Sequence, residues 1–180
     1  MSELVVLFED HGHESFARQV IKRCYGYAPR MVRYLRCVDC TGVERALAGE
    51  VTRLRSRNFQ RGRALLVLID ADAFGIDGRK ERLDAMLREA GMDPRRDDER
   101  IAYVVPRLEV ENWYMHFCVP ARRPIDENHD YKRDPDWRAL ADNLGAAARA
   151  VARAWRTPAA LEPLSLQDAR SELARLVIPA

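Results

Sequence analysis

Lysine is close to missing from this 180-residue chain: only Lys22, Lys80 and Lys132 carry an ammonium, and every other base is arginine. That leaves planar guanidinium forks, which suit phosphate and carboxylate, in place of compact hydrated cations. Genome composition alone produces such a skew, so it permits an anionic partner without demanding one. An excess of charge is also missing, since 30 basic and 28 acidic residues leave a net +2 and bulk charge does not announce a nucleic-acid binder. No apolar run approaches the ~20 residues of a membrane span. The short run "LVVLF" is bracketed by Glu3, Glu9 and Asp10, against a signal peptide, so a cytoplasmic protein with no membrane partner is expected. Cysteine is sparse: Cys24, Cys37, Cys40 and Cys118. Cys37 and Cys40 form a CxxC in "RCVDC", but no further ligands follow at zinc-site spacing. Reduced thiols are the expectation, with a redox pair at a helix start as the alternative. The chain has no Walker-type lysine loop, so any ATP use belongs to a partner.

What is present is ordinary for a soluble globular protein, with 47% hydrophobic and 32% charged residues. A chain of this size buries roughly 70% of its unfolded surface and needs no staples. "LVVLF" (4–8), "RMVRYLRCV" (30–38), "ALLVLI" (64–69) and "RIAYVV" (100–105) read as strands. Helical spacing appears between them, in "SFARQVIKRC", "VERALAGEVTRLRSRNF" and "RKERLDAMLREAG", with Gly91 as a stop, and again in "EVENWYMHF". Strands that are apolar throughout, alternating with helices, argue a parallel sheet covered on both faces. Past residue 118 the texture changes to the charged, proline-bearing "VPARRPIDENHDYKRDP". One alanine-rich helix (136–156) and a last helix (165–177) capped by Ser165 follow. The expected organisation is an α/β body over 1–118 and a C-terminal extension over 119–180.

The acids collect where strands end. Glu9 and Asp10 end the first strand, Asp70 and Asp72 the third, and Glu109 and Glu111 follow the fourth. Parallel sheets bind ligands at their carboxyl edge. Carboxylates brought together there repel unless protonated or joined by a cation, and an oxygen-rich set suits Mg²⁺, Mn²⁺ or Ca²⁺. For Asp72 alone, a helix cap or loop residue is the competing reading.

The glutamate ending the first buried strand and the Asp-x-Asp ending a later one resemble the TOPRIM domain of topoisomerases, primases and the nucleases of the overcoming-lysogenization-defect class. "VVLFEDHGHESFARQVIKR", "LLVLIDAD" and "VVPRLEVENWYMHF" look closer still to small stand-alone TOPRIM-like proteins. The resemblance covers about residues 4–118. It implies a Rossmann-like, mostly parallel four-stranded sheet with helices on both faces, plus C-terminal helices. It implies that Glu9 and Asp70 bind Mg²⁺ or Mn²⁺, with Asp72 a ligand or near-ligand, Glu14 aligned with an acid serving a second metal, and Glu111 with a later acid. The family's glycine after the first glutamate is replaced by Asp10, which unsettles the loop and leaves Glu14 one residue off the commoner spacing. Glu9, Asp70, Asp72 and Lys80 are then the catalytic candidates for phosphodiester hydrolysis on nucleic acid, DNA ahead of RNA. The resemblance also suggests defence against phage or mobile DNA, with a separate ABC- or AAA-type ATPase or a second copy as partner.

Lys80, Arg79, His11 and His13 flank the acids, and one of them would stabilise the phosphate or protonate the leaving group. For both histidines, surface loop residues are the competing reading, and Trp113 reads as core. Arg53, Arg55, Arg57, Arg61 and Arg63 cluster at the opposite end of the sheet. Arg122, Arg123, Lys132 and Arg133, beside Tyr131 and Trp137, leave on the acidic side, where aromatics would stack on bases. A receiver-like regulatory module and a non-catalytic scaffold remain the alternatives. The receiver reading lacks its late lysine, since "YVVPR" presents Arg107.

Overall fold

In a computed structural model of the chain, the described residues are 3–56, 62–119, 124–157 and 162–177. Four strands form one sheet: β1 (Glu3–Phe8), β2 (Val32–Arg36), β3 (Arg63–Leu68) and β4 (Ile101–Val104). Every pairing is parallel and the order is β2-β1-β3-β4. Leu4, Val6 and Phe8 of β1 pack into one apolar cluster while Val5 and Leu7 pack into the other. A strand buried on both faces reads as a continuous apolar run, which is why β1 and β3 lack polar alternation.

The second face carries α2 (Cys40–Arg55) and α3 (Gly75–Glu89), through Val43, Leu47, Val51, Leu83 and Leu87. The first carries α1 (His11–Cys24) and α4 (Glu111–Cys118). It also carries three helices from the C-terminal part: α5 (Pro135–Ala141), α6 (Leu144–Ala154) and α7 (Leu164–Ala174). Phe16 of α1 lies 5.1 Å from the Trp113 ring and 5.3 Å from the Trp155 ring, so one aromatic knot joins both parts of the chain. Full burial of such a side chain contributes about 1.5–3 kcal/mol. Trp113 is fully buried, as its expected core role requires.

Three elements differ from the sequence reading. Helix α1 begins at His11, inside the stretch read as a loop, because the Asp10 carboxylate accepts the His13 N–H at 2.8 Å and caps it. The alanine-rich helix is two helices, since Asn143 breaks it and caps α6 by accepting the Ala146 N–H at 3.2 Å. Ser165 is not the cap of α7. Glu127 performs that task from a distance, accepting the N–H groups of Leu164 and Ser165, while Ser165 Oγ accepts the Trp113 indole N–H at 2.8 Å.

Helix α7 lies against the edge strand β4, where the Glu172 carboxylate accepts the Tyr103 backbone N–H at 3.0 Å. The edge N–H is thereby satisfied by a side chain rather than left as a template for another strand. Among the described residues, no helix is long and apolar enough to cross a membrane.

Candidate metal centre

Strands β1 and β3 pair with Phe8 beside Leu68, so the residues that follow emerge side by side at the carboxyl edge. The chain proceeds from β1 to β2 on one flank, and β3 and β4 lie on the other. The crevice between β1 and β3 is therefore the topological switch point, where open parallel sheets bind ligands.

Glu9 and Asp70 meet there. Glu9 Oε1 accepts the Asp70 backbone N–H at 3.0 Å, which ties the two strand ends together. The cap at Asp10 turns α1 so that His13 points inward, fully buried, with Nε2 3.0 Å from Asp70 Oδ1. Its Nδ1 lies 3.0 Å from Asp10 Oδ1 but without the alignment of a hydrogen bond, and 4.0 Å from Glu9 Oε1. Glu9, His13 and Asp70 each offer a donor atom within 4.8 Å of the others, the spread a single cation bridges.

Electrostatics record the crowding. Burial works against a charged imidazole, yet Asp70 and then Asp10 outweigh it and raise the His13 pKa well above the usual histidine value. Burial raises the Asp70 pKa, and His13 offsets this only in part. Burial also opposes the charge of Asp10, but His13 holds that carboxyl well below the ordinary range. In the chain alone, then, His13 serves as the counter-cation between two aspartates.

Glu111, at the start of α4, is 6% exposed, and one of its oxygens is buried without a hydrogen-bond partner. Burial, partly offset by Lys132 and reinforced by Asp70 and Asp10, pushes its pKa up to about 7. Buried carboxyl oxygens without donors, at Glu111 and at neighbouring Glu109, are the condition that a bound cation would relieve. The carboxylates thus fit a hard divalent ion such as Mg²⁺ or Mn²⁺, and His13 would add a nitrogen ligand only where the arriving cation displaces its proton. A pH consequence follows. A carboxyl whose folded pKa lies above its unfolded value of 4.5 contributes stability that is lost as pH rises from there towards 7. In chelator, Glu111→Gln is expected to gain thermal stability relative to the unsubstituted chain across that window and to show no relative change below it. Melting curves at half-unit pH steps check this.

The other expected residues lie outside the Glu9, His13 and Asp70 set, Asp72 being next to it through the Cys40 thiol it shares with Glu9. Asp72, at a positive φ of 49°, directs its carboxylate to Arg79, whose guanidinium donates at 2.7 Å and is itself buried against Glu44. Glu14 pairs with Arg18 one helical turn on, at 2.7 Å. Lys80 does not join the acids. Its ammonium donates to Asp168 at 2.6 Å and Glu172 at 3.0 Å, holding α3 to α7. His11 is on the surface, 72% exposed. Tyr131 and Trp137, read as base-stacking, are buried in the core, because Trp137 packs on Tyr114 at 5.8 Å. Of the arginine cluster, Arg53 pairs with Glu50, Arg55 with Glu99 and Arg63 with Glu3. Arg57, Arg61, Arg122 and Arg123 lie outside the described residues.

Two contributors stand in the sequence in other roles, Cys40 as half of the CxxC and Lys132 in the basic stretch expected to leave on the acidic side. Cys40, the first residue of α2, donates its thiol to Glu9 at 3.0 Å and Asp72 at 3.3 Å, and burial plus these acids raise its pKa. All four cysteines are free thiols. Lys132, from a short 3₁₀ turn in the C-terminal part, reaches Glu109 at 2.7 Å. Burial disfavours its charge, but Glu109, Glu111 and Asp70 outweigh that and raise its pKa to about 12.

No protein-family model matches the chain, and no curated protein matches it. Among solved structures, the C-terminal region of the Burkholderia pseudomallei OLD protein is similar at 11% identity and a TM-score of 0.46, over 96% of this chain and 97% of that one. A likeness of that size transfers no residue role.

Proposed function

We propose that the chain is a divalent-metal-dependent nuclease that hydrolyses phosphodiesters at the edge formed by Glu9, His13 and Asp70. The observation that carries this reading is the convergence of those three donor groups at the switch point of the sheet. A bound Mg²⁺ or Mn²⁺ would neutralise phosphate charge and lower the pKa of a bound water. Glu9 and Asp70 are the carboxylates that would hold the ion, and His13 orients Asp70 from beneath. Glu111 faces the same edge with an oxygen to spare. Asp72 keeps Arg79 and Cys40 in place beside Glu9 and acts by positioning. DNA is the preferred substrate in this reading. A role in defence, with a separate ATPase, is its biological extension.

The phosphate-stabilising cation in this reading is Lys132. Lysine at position 80 is held by two carboxylates on α7, whereas the Lys132 ammonium stands against Glu109 and close enough to Glu111 and Asp70 to feel both. Lys132→Ala is expected to lower cleavage at least about tenfold with little change in melting temperature. Lys80→Ala is expected to do the reverse, since it leaves Asp168 and Glu172 short of a partner. Initial rates and melting curves of the two variants, side by side, read the contrast.

The direct test is incubation of pure protein with plasmid, single-stranded DNA and RNA, with Mn²⁺, Mg²⁺ or chelator. Metal-dependent cleavage that disappears on Asp70 substitution supports the reading. A second reading, a non-catalytic scaffold, is favoured by the diversion of Asp72 and Glu14 into ion pairs. Metal binding without turnover on any of these substrates would favour it. The receiver alternative fits poorly, because Asp70 is only 8% exposed and engaged by His13.

A further inference from the structure

Among the described residues the exposed large hydrophobic side chains are Val38, Phe74, Leu164 and Val177, and Phe74 alone is aromatic. It is 57% exposed and ends the short 3₁₀ turn Asp72–Phe74, two residues beyond the Asp-x-Asp. Its ring is not loose. The Arg79 guanidinium lies 4.7 Å from the ring centroid, and the same guanidinium holds Asp72 at 2.7 Å. Asp72 in turn receives the Cys40 thiol, which also donates to Glu9. A chain of contacts therefore connects an exposed aromatic ring to a carboxylate of the candidate centre.

An unused cation stands beside it. Beyond β3 and β4 the two chains stay joined, with the Ile69 N–H donating to Val104 O at 3.2 Å and the Ala71 N–H to Pro106 O at 2.9 Å. This brings Arg107 against the residue after Phe74. Gly75 has φ +72°, and a Cβ there would meet an Arg107 guanidinium nitrogen at 3.3 Å. Arg107 is half-buried and, among the described residues, makes no hydrogen bond or ion pair. Among the described residues the other arginines without a carboxylate partner are exposed, apart from Arg100, which donates to Tyr27 and to the Leu176 carbonyl; Arg107 is the half-buried one that makes neither kind of contact.

We propose that Phe74 and Arg107 form a nucleotide-holding rim on this site, Arg107 taking a backbone phosphate and Phe74 stacking an unpaired base. The inference rests on the reading that the acidic edge handles phosphodiesters, and it names the form of strand that edge accepts. A base inside a duplex is stacked on both sides and offers no face to a ring. The substrate is therefore single-stranded nucleic acid, or a duplex end or gap that exposes an unpaired nucleotide. Stacking on an aromatic tolerates every base, so the rim selects strandedness rather than sequence. The guanidinium contributes a salt-dependent contact with one phosphate.

Fluorescence anisotropy in chelator tests this without turnover, using labelled single strands of DNA and of RNA, a blunt duplex, and a DNA strand with a central run of abasic sites. The unsubstituted chain is expected to prefer the single strands to the duplex. Phe74→Ala is expected to weaken single-strand binding about tenfold while Phe74→Tyr retains it. On the abasic strand Phe74→Ala is expected to change nothing. Arg107→Ala is expected to weaken all single strands alike and to flatten the salt dependence by about one ion. Equal binding by Phe74→Ala and the unsubstituted chain, a loss that persists on the abasic strand, or no single-strand binding at all would each overturn the rim. The nuclease reading fails separately. If binding follows this pattern but nothing is cut with Mn²⁺, the rim stands and the hydrolysis claim falls; cutting that is indifferent to both substitutions has the opposite meaning.

Discussion

Asp70→Asn is expected to abolish metal binding and metal-dependent cleavage while leaving the fold intact. Asparagine keeps the shape and a carbonyl for the His13 ring, and it removes the charge that a cation requires. The carboxylate is 8% exposed, and burial has already raised its pKa. Taking its charge away therefore removes a repulsion with Asp10 and Glu109 as well as an attraction to His13. The folded state in chelator should melt within a few degrees of the unsubstituted chain. Metal separates the two proteins. An ion present at 100 times its dissociation constant stabilises the folded state by about 2.7 kcal/mol. For a domain of this size that is a rise of roughly 5–10 °C, expected in the unsubstituted chain with Mn²⁺ and absent in the variant. Loss of a ligand to a charge-stabilising metal removes several kcal/mol at the transition state, so cleavage should fall by more than about 10². Equal melting shifts and equal cleavage by the two proteins would end the case for this site.

The part of the site that was legible from sequence is the part built from local pattern. Unbroken apolar runs announced β1 and β3, and an acid directly after each run placed Glu9 and Asp70 at one edge. His13 was legible too, had the helical period been carried back towards Asp10. Residues 13, 16, 17 and 20 fall on one face of α1, and all four are buried. An aspartate before an apolar helix is a cap signal, and it moves His13 from a surface loop to the floor of the site. Asn143 inside the alanine-rich stretch carried the same kind of signal and divides α5 from α6. Lys132 and Lys80 could not have been sorted this way. Their partners lie 23 residues away at Glu109 and 88 and 92 residues away at Asp168 and Glu172. Only the packing of the C-terminal part on the sheet decides which lysine meets the acids, and no local spacing encodes that.

That packing has its own decisive residue, and Glu172→Ala is expected to be the most destabilising single substitution away from the core. The carboxylate accepts from Arg95, from Lys80 at 3.0 Å and from the Tyr103 backbone N–H at 3.0 Å, joining α7 to α3 and to the edge strand β4. Arg95 and Lys80 are 14% and 17% exposed, so neither reaches full hydration when the acid is removed. Breaking a buried pair by deleting one member costs about 3–5 kcal/mol, which is about 6–20 °C in melting temperature here. Burial raises the Glu172 pKa, but Arg95 and then Lys80 outweigh it and hold the carboxyl below 4.5. A group depressed in the folded state contributes stability that is present above its unfolded pKa and disappears as pH falls through the folded value. The gap between the two proteins should therefore be full at pH 7 and narrow below about pH 4.5. Urea titrations at both pH values measure it, and a gap independent of pH would show that lost packing, not charge, holds α7 in place. The same variant frees Lys80 from one of its two acids. If cleavage well below the melting temperature is unchanged in Glu172→Ala, Lys80 is a structural cation and the phosphate depends on Lys132.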